Sequence, residues 1–371
     1  MLKKFTVTNF KNFGRKTIFD LSNPANFAFH REVVKDGIVS KGIICGINGC
    51  GKSNLALAIF DIVVHLTDKE KLLDKYRPYL NLGQEKKEAD FEYVFSFYGI
   101  EVIYRYSKTS VDTLVFEALE IDNKEVIRYD FVRREGYVSL KGAETIQLIS
   151  SFNEYDNKLS RIKYVKANAL LKETKENKVF REFTAFVDNM LLFYALQESG
   201  YQGFRLGADN ISQGIIREGK EKEFESLLRS QGVDYHFVVV NVNGLDELYC
   251  KFEHGLVPFA LIASTGTKSL SLFYYWYITL TRASFVFIDG YDAFYHFALS
   301  QCLLSMIKRL DNTQVLLSTH NTDLILNDFL RPDAYFIIDN GRIQSIDKLA
   351  KKELRYAHDL QKMYKAGMFH E

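Results

Sequence analysis

Cysteine, proline and net charge are all in short supply in this chain. Its four cysteines (Cys45, Cys50, Cys250 and Cys302) are scattered and form no CxxC pair. That argues against a disulfide scaffold and for reduced thiols in a cytoplasmic protein. With only 4 prolines, the chain has few stiff linkers. A formal net charge of +1 gives no global basic surplus of the kind that binds nucleic acid through counterion release, so DNA is a possible partner that the charge does not indicate. No stretch of about 18 uncharged apolar residues occurs, and the opening MLKKFTVTNFKNF lacks the apolar run of a signal peptide. A soluble, cytoplasmic protein with no membrane span is therefore expected. What the chain does have is 47% hydrophobic residues and 30 Phe with 22 Tyr, enough for a full core rich in half-buried strands.

Alternating apolar and polar residues at 3–8 and 16–21, on either side of Asn9-Phe10-Lys11-Asn12-Phe13-Gly14, predict two strands joined by a turn. A short apolar strand, 41–45, runs into a glycine-rich loop, and 52–65 continues with Leu55, Ile59 and Val63 on one helical stripe. The segment from about 66 to 90 is charged and irregular. Strands are predicted at 91–97, 101–106, 113–121 and 125–131, punctuated by Gly99 and Asp122-Asn123. Residues 157–232 read as helical, with amphipathic stretches at 178–195 and 221–231. Alternation returns at 234–241 and 247–252. A helix to about 282, a very apolar strand at 284–288, a helix at 294–310 and a strand at 314–317 then follow. Segments 335–338 and 342–346 flank Asn340-Gly341, a hairpin dipeptide. Buried strands alternating with helices after residue 234 predict an α/β core.

The chemistry is concentrated in Gly46-Ile47-Asn48-Gly49-Cys50-Gly51-Lys52-Ser53, a G-x-x-x-x-G-K-S loop between a strand and a helix. That context points backbone N–H groups and a helix dipole at a phosphate. Lys52 would reach the β/γ oxygens, and Ser53 would ligate Mg²⁺; Asn54 follows on the first turn of the helix. A carboxylate for the metal is expected at the end of a buried strand, and Ser284-Phe285-Val286-Phe287-Ile288-Asp289 supplies one. Ser318-Thr319-His320 ends the next strand and would set an imidazole near the γ-phosphate. Ser264-Thr265-Gly266-Thr267-Lys268, a Ser-x-Gly turn opening a helix, is a second candidate anion site.

Taken in chain order (the P-loop, the Ser264 turn, Asp289, His320), the four elements resemble the ABC-type P-loop ATPases of the RecF, chromosome-maintenance (SMC) and OLD branch. The opening Asn9-Phe10-Lys11 is similar to the start of those proteins. Asn321-Thr322-Asp323 and Arg331-Pro332-Asp333 look like the ATPases of bacterial anti-phage and abortive-infection systems of the AbiL, PARIS and Septu types. The motifs span 1–65 and 260–340. The resemblance implies an α/β ABC-ATPase head: a RecA-like parallel core (1–65 and 234–346), an antiparallel β subdomain (88–150), a helical lobe (151–233) and a C-terminal helix (347–371). It also implies ATP with Mg²⁺ as ligands and a homo-oligomer sandwiching ATP between subunits, Ser264 and Gly266 of one facing the nucleotide on Lys52 of the other. In one respect the chain departs from the family, which places a Glu after the Asp that Asp289 matches. Gly290 stands there instead, in Asp289-Gly290-Tyr291-Asp292. Asp292 or His320 would have to serve as base, so slow hydrolysis is expected.

Two functions from different classes follow. The first is a switch ATPase controlling a separate nuclease or toxin in anti-phage defence. Related OLD-type proteins carry a nuclease domain after the ATPase, whereas 347–371 reads as one amphipathic helix, too short to be catalytic. The alternative is a RecF/SMC-like DNA-repair ATPase acting on DNA. A P-loop GTPase fits poorly, because no Asn-Lys-x-Asp guanine motif occurs.

Overall fold

The computed structural model describes residues 1–69, 73–148, 158–194, 201–203, 211–292 and 297–369. Parts of the expected helical stretch (157, 195–200 and 204–210) and the start of the expected 294–310 helix lie outside them. The fold is mixed α/β, built on two seven-stranded sheets, one parallel at its centre and one antiparallel.

The central sheet runs Tyr201–Gly203, Met190–Tyr194, Phe285–Asp289, Gln314–Thr319, Lys41–Cys45, Tyr335–Asp339, Arg342–Ser345. Its five inner strands are parallel, and both edges are antiparallel. The Lys41–Cys45, Phe285–Asp289 and Gln314–Thr319 strands are buried at every position. Unbroken burial of this kind is what a parallel sheet covered on both faces requires.

The second sheet orders Glu135–Val138, Lys124–Asp130, Thr113–Ile121, Ile100–Ser110, Ala89–Phe97, Leu2–Thr8, Thr17–Asp20. The opening hairpin thus pairs with the strands that follow the P-loop helix. Burial alternates residue by residue along Ile100–Ser110, as one covered face dictates. Gln314 joins the two sheets. Its side chain accepts from Leu2 N–H at 2.9 Å and donates to the Leu2 and Val39 carbonyls at 2.9 and 3.0 Å.

The helix Lys52–Leu66 is enclosed by this architecture, and every residue from Leu55 to Leu66 is buried. The single stripe expected from the sequence is therefore a helix covered all round. Phe60 meets Phe285 of the central sheet at 5.9 Å, and Ala58 O accepts from Tyr93 of the other sheet at 2.9 Å. The two polar residues of this buried stretch find partners in that second sheet and in the loop before it. Asp61 accepts from Lys108 Nζ at 2.7 Å, Tyr106 at 2.9 Å and Tyr79 at 3.1 Å; His65 Nε2 lies 2.8 Å from the Tyr104 hydroxyl.

Two stretches differ from their sequence patterns. The helix Lys175–Asp188 stops where 178–195 reads as one amphipathic stretch, and Met190–Tyr194 is a strand pairing with Phe285–Asp289. Met-Leu-Leu-Phe-Tyr is a short apolar run whose periodicity suits a buried strand as well as a helix, and parallel pairing with Phe285–Asp289 decides it. In the tail, the expected single helix is a short Leu360–Lys365 segment preceded by turns. The carbonyls of Arg355, Tyr356 and His358, which a helix would use internally, accept from Asn327 instead.

Candidate functional site

The phosphate loop follows from the fully buried strand Lys41–Cys45, held by parallel neighbours on both sides. Its glycines are required by space and by backbone conformation. A Cβ at Gly46 would fall 2.6 Å from Cys50 Sγ and 2.7 Å from Ile338 O. Gly51 has φ 110 at the start of the Lys52–Leu66 helix, a left-handed conformation that side-chain-bearing residues adopt at a cost. The loop's crest, Ile47, Asn48 and Gly49, is exposed, as is Ser53; Cys50, Lys52 and Asn54 are half-buried. Lys52 Nζ sits inside the loop, donating to Gly46 O at 2.6 Å and Ile47 O at 2.9 Å, with Cys50 Sγ at 3.7 Å.

Sequence reasoning passed over one residue here. The Asn12 carboxamide accepts from Asn54 Nδ2 at 2.7 Å, donates to Cys50 O at 3.4 Å, and lies against Gly51 Cα. Its turn is set by left-handed Asn9 and Lys11 and by the Asn9 side chain, which donates to Lys86 O and Glu88 O at 2.7 and 2.9 Å. Asn9-Phe10-Lys11-Asn12 was legible as a turn, but nothing in the spacing says that the turn folds back over the loop.

Asp289 ends the buried strand Phe285–Asp289 and is only 7% exposed. Its Oδ1 accepts from Ser318 Oγ at 2.5 Å, and Ser318 Oγ in turn accepts from Gly290 N–H at 2.9 Å. The Gln314–Thr319 strand carrying Ser318 lies between the Asp289 strand and the P-loop strand, pairing Ile288 with Leu317 and Thr319 with Cys45. Two strand ends and the loop therefore share one edge of the sheet. In open α/β sheets, ligands bind outside the carboxyl ends of the strands.

Gly290 turns the chain with φ 66 and delivers Asp292 into the protein. Asp292 is 8% exposed, and its buried Oδ1 has no hydrogen-bond partner among the described residues. The nearby Cys45 thiol is pushed well up, first by burial and then by the Asp292 carboxylate, with Lys52 opposing. Burial followed by the same carboxylate raises the Tyr291 phenol. A buried polar oxygen without a partner is costly to keep. His320 follows the Gln314–Thr319 strand directly and is exposed. The Asn321 N–H after it donates to Thr319 Oγ1 at 2.8 Å.

The Ser264 turn is bonded to its own helix. Ser264 Oγ accepts from Thr267 N–H at 3.1 Å and lies 2.9 Å from Thr267 Oγ1. These bonds cap the 16-residue helix Thr265–Leu280 locally and leave Ser264 and Thr265 exposed. The helix packs through Tyr274 on Phe224, Trp276 on Phe193 and Tyr275 on Gly214. Within one chain, Lys52, Asp289, Ser318, Asp292 and His320 belong to the P-loop edge of the sheet, while Ser264 and Gly266 begin a different helix.

Among the described residues no group of three or more His, Cys, Asp and Glu is assembled for a metal. Mg²⁺ in nucleotide sites typically takes one or two protein ligands, with phosphates and waters supplying the rest. The exposed Ser53 hydroxyl and the strand-end Asp289 carboxylate are oxygen donors of that kind. Lys52 Nζ, set inside the loop, is the cation that suits an anionic phosphate beside those donors. Bound at those oxygens, Mg²⁺ would neutralise phosphate charge.

This fold and loop define a P-loop nucleotide-binding protein. Residues 43–327, most of the chain, match the family described as "AAA domain, putative AbiEii toxin, Type IV TA system", and the chain belongs to that family. No curated protein matches it. Among solved structures, an SMC head bound to the C-terminal winged-helix domain of ScpA is similar at 15% identity and TM-score 0.48, covering 94% of this chain and 99% of that one. The SMC head domain from Thermotoga maritima is similar at 14% and 0.44, covering 92% and 97%. RecF bound to ATP is similar at 12% and 0.35, covering 93% and 99%. Among the described residues no helix is long and apolar enough to cross a membrane.

Proposed function

We propose that this chain is an ATP-binding switch whose copies close on one another around ATP and which controls a separate nuclease or toxin in bacterial anti-phage defence. The observation that carries the nucleotide reading is the meeting of three strand ends at one edge of the sheet. One strand leads into the P-loop, one ends in Asp289, and the one between them holds Asp289 through Ser318. In this reading Lys52 faces the β/γ oxygens, Ser53 and Asp289 hold Mg²⁺, and His320 reads the γ-phosphate. Asp292, whose buried Oδ1 has no partner among the described residues, is the base that a Glu at position 290 would otherwise be. The exposed Ser264–Thr265 turn, capped only by its own helix, suits contact with nucleotide held by a second copy. Such an interface is isologous and strengthened by ligand. The defence role rests on the toxin–antitoxin wording of the family description and on the Asn321 and Arg331 motifs. The balanced net charge of +1 gives little drive for a DNA clamp.

Sedimentation with and without ATP and Mg²⁺ tests the assembly. The expected result is tighter association with nucleotide, abolished by Ser264→Arg, which would crowd the γ-phosphate. The same oligomer under all conditions would refute the sandwich.

A further inference from the structure

A small antiparallel sheet orders Phe237–Val242, Leu245–Phe252 and Gly255–Pro258, with Phe237–Val242 at one edge. Three observations fix which way that edge strand turns its backbone. His236 O accepts from Lys251 N–H at 2.8 Å. Val242 and Leu245 pair across the two-residue turn Asn243-Gly244, whose φ values are 52 and 86. At Phe237 the N–H donates to Glu225 Oε2 at 2.7 Å and the carbonyl accepts from Lys222 Nζ at 3.3 Å, both on the helix Glu221–Ser230. Hydrogen-bonded and non-bonded pairs alternate along an antiparallel ladder. Val238, Val240 and Val242 therefore bond inward to Tyr249, Glu247 and Leu245, while Phe237, Val239 and Asn241 direct their backbone outward.

The helix meets that outward need at Phe237. The N–H and C=O groups of Val239 and Asn241 have no hydrogen-bond partner among the described residues, and both residues are exposed. Open sheet edges pair with other strands, and proteins commonly guard them with charge or proline. The opposite edge of this sheet carries Pro258; Phe-Val-Val-Val-Asn-Val carries neither guard. The open stretch is also self-complementary in one register. A two-fold axis through Val240 sets Val239 against Asn241 of a second copy, and Asn241 against its Val239. That makes two bonded pairs of two N–H···O=C bonds each. An axis through Val239 would call on Phe237, already held by the helix, and one through Asn241 would call on Asn243 in the turn; either loses a pair. With no charged side chain on the strand, two copies meet there without repulsion. Val238, Val240 and Val242, all half-buried, would line one face with their counterparts.

We propose that the Val239–Asn241 edge pairs with the same edge of a second copy of this chain, in a contact that needs no nucleotide. Beside the ATP-dependent interface proposed above, a second two-fold contact would join pairs of chains into larger assemblies.

Cysteine cross-linking of the full chain tests the register. In a non-bonded antiparallel pair the Cα atoms lie about 4.5 Å apart, within the span of about 4.4–6.8 Å that a disulfide bridges. Val240→Cys should therefore form a covalent dimer under copper–phenanthroline oxidation without nucleotide, where the wild-type chain does not. Val238→Cys and Val242→Cys should each stay uncross-linked alone and form a mixed dimer when combined. Adding Val239→Pro to Val240→Cys removes an outward N–H from each copy and no bond of the sheet itself. The melting temperature should hold while the cross-linked yield falls about tenfold or more. The mixed-dimer arm reads the register without that substitution. A Val240→Cys chain that stays monomeric would overturn the contact and leave the edge to another protein or to none. A cross-link that survives Val239→Pro, or that forms only with ATP, would overturn it as well. None of these results bears on whether the P-loop holds nucleotide.

Discussion

Ser318 and Asp289 sit on adjacent parallel strands, and the Ser318 hydroxyl donates to Asp289 Oδ1 at 2.5 Å while accepting from the Gly290 N–H at 2.9 Å. One hydroxyl thereby fixes both the strand-end carboxylate and the turn that carries Asp292 inward. Ser318→Ala would leave a buried acceptor and a buried N–H unmet, at a cost of about 1–3 kcal/mol. The expected outcome is a lower midpoint in urea unfolding together with weaker Mg²⁺-dependent ATP binding. A variant unchanged in both would show that the pair does not organise the site.

Asp292 presents the opposite signature. Its buried Oδ1 has no partner among the described residues, so Asp292→Asn breaks no hydrogen bond seen there and should leave stability little changed. If Asp292 orients the attacking water, turnover should fall by about 10²–10⁴ with ATP affinity retained. Melting curves beside steady-state ATPase assays check this. Unchanged turnover would exclude the role. Gly290→Glu is a poorer repair of the site, because φ 66 is a left-handed conformation costing a side-chain-bearing residue roughly 1–2 kcal/mol.

Gly46→Ala places a methyl where Cys50 Sγ and Ile338 O stand at 2.6 and 2.7 Å. The loop must shift to accept it, so ATP binding should be lost. Wild-type affinity, measured by calorimetric titration, would show that the loop is not the cradle described.

Beneath the loop, Lys108 and Asp61 form a fully buried ion pair at 2.7 Å between the antiparallel sheet and the P-loop helix. Burial holds the Lys108 ammonium below its ordinary value, and Asp61 opposes that. Lys108→Met alone should destabilise by about 3–5 kcal/mol, while the double change with Asp61→Leu should recover most of the loss. Equal stability of the single and double variants in urea would contradict this account of the pair.

Where a motif is contiguous, the sequence already states the site. The loop 46–53, its flanking strand and helix, and the apolar run into Asp289 are local patterns whose physics needs no distant partner. Burial of the whole Leu55–Leu66 face was not legible, because it follows from the opening hairpin joining the antiparallel sheet, a pairing of Leu2–Thr8 with strand Ala89–Phe97 far along the chain. Met190–Tyr194 read as helix because a five-residue apolar run carries no period of its own. Asn12 and Ser318 act through chain segments remote from their partners, so spacing could not reveal them. The tail was misread for a related reason: its backbone carbonyls are taken by Asn327, about 30 residues earlier.

Every part of the proposed function depends on ATP being held by Lys52. Calorimetric titration of ATP with Mg²⁺ into the full chain and into Lys52→Ala is the most direct test. The wild-type chain should bind and the variant should not, since the substitution removes the cation that faces the β/γ oxygens. Equal affinity in the two proteins would contradict the assignment of 46–53 as the phosphate cradle.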